Sequence, residues 1–118
     1  MFPKINPTST QAWQQLKEHF SEMKNVNMKE LFKKDPERFK KFSMCVDDIV
    51  FDYSKNIIFD KTIQFLLQLA EECKVKEAME AMFNGEANNE TENRSVLHIA
   101  LRNFSNKPIY SEGKDVNL

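Results

Sequence analysis

Glycine is scarce, with two in 118 residues, alongside four prolines and two cysteines. So few glycines leave few flexible joints, while ten phenylalanines carry large apolar surface that has to be hidden. Cys45 and Cys73 stand far apart with no CxxC spacing, which argues against a disulfide scaffold or a zinc site and fits reduced thiols in the cytoplasm. Neither sign of charge dominates: 17 Lys and Arg face 18 Asp and Glu, and a net charge of -1 offers no nucleic-acid or polybasic membrane surface. No run approaches the roughly 20 apolar residues of a membrane span, and the stretch Met1 to Pro7 has no apolar signal core. Repeats, low-complexity tracts and Ser/Gly/Pro linkers are missing too. What remains is 41% hydrophobic and 30% charged, the make-up of a soluble, globular, cytoplasmic chain of at most one ordinary domain.

Helical spacing accounts for most of that content. Pro3 and Pro7 keep the start extended, and Thr8 or Ser9 caps a helix over about 9–24 whose apolar side is Trp13, Leu16, Phe20 and Met23. Asn27, with Glu30 three residues on, has the form of a capping box for a short helix over about 28–34 holding Leu31 and Phe32. Asp35-Pro36 begins another over about 36–41, which carries Phe39. Asp60 caps a helix over about 61–73 with Ile63, Leu66, Leu67, Ala70 and Cys73 as its buried stripe. A further piece, about 75–83, runs into the stop at Asn84-Gly85, where a helix needs a residue tolerant of positive φ.

Two places switch to strand character. Phe42, Met44 and Val46 alternate with polar or small residues, Asp47-Asp48 reads as a turn, and Ile49 to Tyr53 is β-branched and aromatic, so about 42–53 is predicted as a hairpin. A second hairpin over about 108–116 turns at Glu112-Gly113. The fold class is thus mainly α with short β-hairpins, an α+β chain.

The most specific wording lies near the end: Met82-Phe83-Asn84-Gly85-Glu86, then Thr91-Glu92-Asn93-Arg94-Ser95-Val96-Leu97-His98-Ile99-Ala100-Leu101-Arg102-Asn103. Thr91 is placed to cap a helix over about 92–102, with Val96, Leu97, Ala100 and Leu101 as its buried stripe. Arg94, His98 and Arg102, spaced by four, line another face. They are the candidate substrate-binding residues, since Arg forks match phosphate oxygens. The ordinary alternative is a face that pairs with acids or meets water. His98 alone reads as a packing or hydrogen-bonding residue. Lys55 invites a catalytic or phosphate reading, against the commoner one of a strand-end lysine pairing with a nearby acid. His19 and His98 have no partners at metal-binding spacing, so no metal site is expected.

This wording resembles the glucose-6-phosphate isomerase (phosphoglucose isomerase) family. The resemblance keeps one order along nearly the whole chain: Asn6-Pro7-Thr8, Ala12-Trp13, Leu31-Phe32, Asp35-Pro36 with Arg38-Phe39, Asp52 to Asn56, Thr91 to Asn103, Asn106 with Pro108-Ile109, and Gly113 to Val116. It departs at Ala87-Asn88, where the family usually has Lys-Ile, and at Ser95, where it usually has Ala. It implies an α/β sugar-isomerase (SIS) fold enzyme of which residues 1–118 form the N-terminal helical segment. Such enzymes are several times longer and work as homodimers. The resemblance implies that the phosphate-gripping Ser/Thr loops, the carboxylate base, the ring-opening His and Lys and the stabilising Arg all lie beyond Leu118. It carries over no catalytic residue and implies no cofactor.

The implied chemistry interconverts glucose 6-phosphate and fructose 6-phosphate by proton transfer through an enediol, in glycolysis and gluconeogenesis. The sugar phosphate would be a partner only of the full-length enzyme. The isolated piece is expected to be inactive and to expose apolar surface meant for the rest of the isomerase chain. The stop just after a hairpin strand also fits an incomplete chain. The other class of reading is a non-catalytic helical protein-interaction module.

Overall fold

The computed structural model describes residues 2–111 and 113–116, and the chain divides into two compact units. Its elements are helix-rich with two small antiparallel hairpins, an α+β arrangement. Among the described residues no helix is long and apolar enough to cross a membrane.

The unit Gln11–Gln68 begins with α1 (Gln11–Met23), followed by α2 (Met28–Lys34). The Asn27 side chain accepts the Lys29 N–H at 2.9 Å and so caps α2. The box is made on one side only, because the Glu30 carboxylate takes Lys33 Nζ at 2.8 Å. Helix α3 is a single turn, Arg38–Lys41, shorter than the expected 36–41. Asp35 Oδ1 accepts the Glu37 N–H, and Pro36-Glu37 is spent on the turn this makes. The hairpin pairs β1 (Ser43–Val46) with β2 (Ile49–Asp52) in the register Ser43↔Asp52 to Val46↔Ile49, and Asp47 sits at φ 49° in the turn. Alternation puts Met44, Val46, Ile49 and Phe51 on one side of this ribbon, all exposed. Helix α4 (Asp60–Glu72) closes the unit through Gln68.

The inward sides of α1 and α4 take in only part of the stripes that apolar spacing picks out: Met23 is buried and Trp13, Leu16, Ile63, Ala70 and Cys73 are half-buried, but other members face out. On α1 the buried residues are Ala12, His19 and Met23, while Phe20 is 66% exposed. On α4 the buried residue is Thr62, and Leu66 and Leu67 are exposed. A polar joint explains both. His19 Nε2 lies 2.8 Å from Thr62 Oγ1, which also accepts the Phe59 N–H at 3.0 Å. The imidazole meets the edges of Phe59 and Phe65, and its Nδ1 reaches Glu22 at 3.3 Å. Satisfied this way, a histidine fills the core position that a phenylalanine was expected to fill.

The second unit comprises residues 1–10 and 69–118. A 3-10 turn, Pro7–Ser9, is capped by the Asn6 side chain. Helix α5 (Val75–Phe83) follows α4 and buries Ala81. It ends as a Schellman motif: the Glu86 N–H reaches Ala81 O at 3.0 Å, the Gly85 N–H reaches Met82 O at 3.1 Å, and Gly85 has φ 74°.

The helix expected over 92–102 is not formed. Asn89 and Arg94 make an antiparallel bridge around a turn, and α6 spans only His98–Leu101. Local side-chain bonds take over from helical ones. The Asn89 amide bonds Glu92 at backbone and carboxylate, the Asn88 side chain accepts the Val96 N–H, and Asn93 sits at φ 49°. Thr91 therefore caps nothing, and of the expected stripe only Ala100 is buried, with Leu101 exposed. Strands β3 (Tyr110–Ser111) and β4 (Lys114–Asp115) pair antiparallel, shorter than the expected 108–116. Glu112 of the expected turn and the terminal Asn117-Leu118 lie outside the described residues.

Candidate functional site

With α6 reduced to one turn, Arg94, His98 and Arg102 no longer share a helical face. Arg94 lies in the bridge that precedes α6, and its guanidinium is paired with the Glu92 carboxylate at 2.5 Å. Arg102 follows α6 and approaches His98 O through Nη1 at 3.4 Å, while carrying no acidic partner among the described residues. His98 is exposed between two open hollows. One, of about 570 Å³, has Arg94, Ser95 and Val116 on its wall. The other, of about 500 Å³, has Arg102, Ser105 and Lys107 against Phe83, Ile99 and Ile109.

Lys107 joins Arg102 in this second hollow, a pairing that helical spacing did not show because the two are joined by a loop. That loop is built by Asn103, whose Nδ2 donates to Lys107 O at 2.7 Å and whose Oδ1 accepts both the Ser105 N–H and its hydroxyl. Ser95, the departure from Ala, places its hydroxyl 2.6 Å from that of Ser111.

The other chemically distinctive stretch, Asp52 to Ile58, is built as a backbone turn. Asp52 Oδ1 accepts the Ser54 N–H at 2.9 Å and its hydroxyl at 2.6 Å, and Oδ2 takes Lys55 Nζ at 2.8 Å. Lys55 is thus an exposed partner of an acid at the strand end. The lysine, and then the serine hydroxyl and amide, hold the Asp52 carboxyl down at about 2.

A carboxyl held below its ordinary value of 3.8 stabilises the fold above that value, and the contribution is lost as pH falls towards 2. Carboxyl NMR of the folded chain should therefore show Asp52 titrating near pH 2. The stability gap between the parent and Asp52→Asn should be full at pH 5 and shrink across that window. A gap that does not change with pH would refute this assignment.

Beneath the turn lies Arg38, only 2% exposed, whose burial the sequence did not signal. Its Nε donates to Ser54 O at 2.8 Å, and Nη2 donates to Asn56 O at 2.7 Å and Ile58 O at 2.9 Å. The guanidinium also lies over the Phe42 ring, 4.7 Å from its centroid. Three backbone carbonyls, that of Ser54 buried and those of Asn56 and Ile58 partly so, are satisfied by one planar fork. Phe39, the apolar residue of the same helix, is exposed.

Both the Asp52 turn and the hollows around His98 fall within a single stretch that matches a known family. The family model of phosphoglucose isomerase matches residues 52–118, which is more than half of the chain, taking in the turn anchored by Asp52, the Gly85 helix stop, the His98 turn and the final hairpin. On that match the chain belongs to the phosphoglucose isomerase family.

Proposed function

We propose that this chain serves as the N-terminal scaffold of a glucose-6-phosphate isomerase, the cytoplasmic enzyme that interconverts glucose 6-phosphate and fructose 6-phosphate by proton transfer through an enediol. In this reading it is inactive alone. It packs against the sugar-isomerase (SIS) domains of the enzyme and supports the homodimer. Family membership supplies the chemistry of the whole. The role of this part rests on one observation: apolar side chains stand exposed in contiguous sets. Met44, Val46, Ile49 and Phe51 cover one side of a two-stranded ribbon, and Leu66 and Leu67 lie on an open side of α4. A ribbon of two strands is marginal in water by itself, and exposed apolar patches of this kind mark contact surfaces. The charged groups at hand support a scaffold rather than a catalyst, because Asp52, Lys55, Arg38 and Arg94 are each committed to a partner within the fold. Free Cys45, exposed on β1, suits a reducing compartment.

The experiment is a coupled assay in which fructose 6-phosphate conversion is read through NADPH formation by glucose-6-phosphate dehydrogenase. The 118-residue chain alone should give no rate above the blank. Mixed with separately produced sugar-isomerase domains, it should co-elute with them on a sizing column. Turnover by the chain alone would overturn the scaffold reading. A chain that never joins those domains would favour the non-catalytic interaction module.

A further inference from the structure

We propose that the hollow between α5, α6 and the 103–109 loop binds a phosphomonoester with an apolar body. Two cations open onto it, Arg102 and Lys107, and neither meets a carboxylate among the described residues. Asp115 accepts the Ile109 N–H at 3.3 Å and is not among the residues that line the hollow. Arg94 shows the contrast, since it is neutralised by Glu92 on the far side of His98. A guanidinium fork and an ammonium sharing one concavity, with no acid among its described lining residues, suit a compact dianion. Phe83, Ile99 and Ile109 supply apolar wall to the same hollow, alongside His98, Asn103 and Ser105. At about 500 Å³ the space is of the size that holds small ligands, one charged end on the cations and the carbon body on the wall. No proton-transfer group is needed, so the site goes beyond the scaffold role and does not depend on isomerisation.

The test uses the 118-residue chain and phenyl phosphate, titrated at constant ionic strength and followed by amide NMR. Saturable shifts should gather at 98–109. Inorganic phosphate should bind more weakly, having no body for the wall, and phenol alone should not bind. Arg102→Leu and Lys107→Leu should each weaken phenyl phosphate about tenfold. Lys114→Leu, on a strand outside the hollow, should bind like the parent. Circular dichroism checks that each variant is folded, and Arg102→Lys, which keeps the charge but not the fork, should still lose affinity. Shifts that never saturate, or an equal loss in Lys114→Leu, would mean general charge attraction and overturn the site. Retained affinity in the Arg102 and Lys107 variants would do the same.

Discussion

Replacing Arg38 with methionine should come close to unfolding the Gln11–Gln68 unit. Methionine keeps much of the aliphatic stem but leaves Ser54 O, Asn56 O and Ile58 O without the donors that now reach them at 2.7–2.9 Å. Leaving one buried carbonyl unsatisfied costs about 1–3 kcal/mol, and removing one side of a buried charged network about 3–5 kcal/mol. Against whole-domain stabilities of ~5–15 kcal/mol that is a large share. The midpoint of thermal unfolding should drop on the order of 10–20 °C. Arg38→Lys should fall between, because an ammonium is a point donor and cannot hold three carbonyls in the plane of a fork. Lys40→Met, two residues away in an exposed pair with Glu37, should change stability by no more than ~0.5 kcal/mol. Urea melts followed by circular dichroism would decide it. An Arg38→Met variant as stable as Lys40→Met would remove the role given to the guanidinium.

Arg38 also marks where local sequence stops being informative. Within its own helix it is one of four residues, three of them basic, which reads as a solvated face. Its partners lie 16, 18 and 20 residues further on, and no periodicity encodes them. The same holds for His19, whose partner Thr62 is 43 residues away. Apolar spacing revealed that helices occur near residues 11–23, 28–34, 60–72 and 75–83, because burying any stripe at all requires that period. It did not separate the stripe residues that reach the interior from those that stay exposed, since it counts every apolar residue alike. Phe20, Phe39, Leu66 and Leu67 belong to the period but not to the core.

At the candidate site the failure was of another kind. The stretch from Glu92 to Arg102 has helical spacing and a plausible cap. The Asn88 and Asn89 side chains nonetheless offer bonds that compete with the helix, Asn93 sits at φ 49°, and all but one turn of the helix stays open. Arg94 and Arg102 were thereby separated, while Lys107 was brought in by a loop whose shape depends on Asn103. Words shared with a family could be read from these residues. Their arrangement around His98 could not.

Gly85→Ala should be the most damaging small substitution in the second unit. At φ 74° an alanine adopts a left-handed conformation at a cost of ~1–2 kcal/mol. The larger effect is steric. A Cβ at this position would stand 1.9 Å from Tyr110 O and 3.0 Å from Tyr110 C, both backbone atoms that cannot swing aside as a side chain does. Either the end of α5 or strand β3 must move. Movement of β3 would disturb its pairing with β4 and the contact between Ser95 and Ser111. Gly113 separates the two effects, because it has almost the same φ, 76°, yet a Cβ there meets nothing within 4 Å. Gly113→Ala should therefore cost only the conformational part, about 1 kcal/mol, whereas Gly85→Ala should cost roughly 3 kcal/mol or more. Amide spectra should show the Gly113 variant altered only near its own turn. The Gly85 variant should shift Ala81 to Glu86 and Tyr110-Ser111 together. Equal losses in the two variants would mean that α5 and β3 do not press on each other at this glycine.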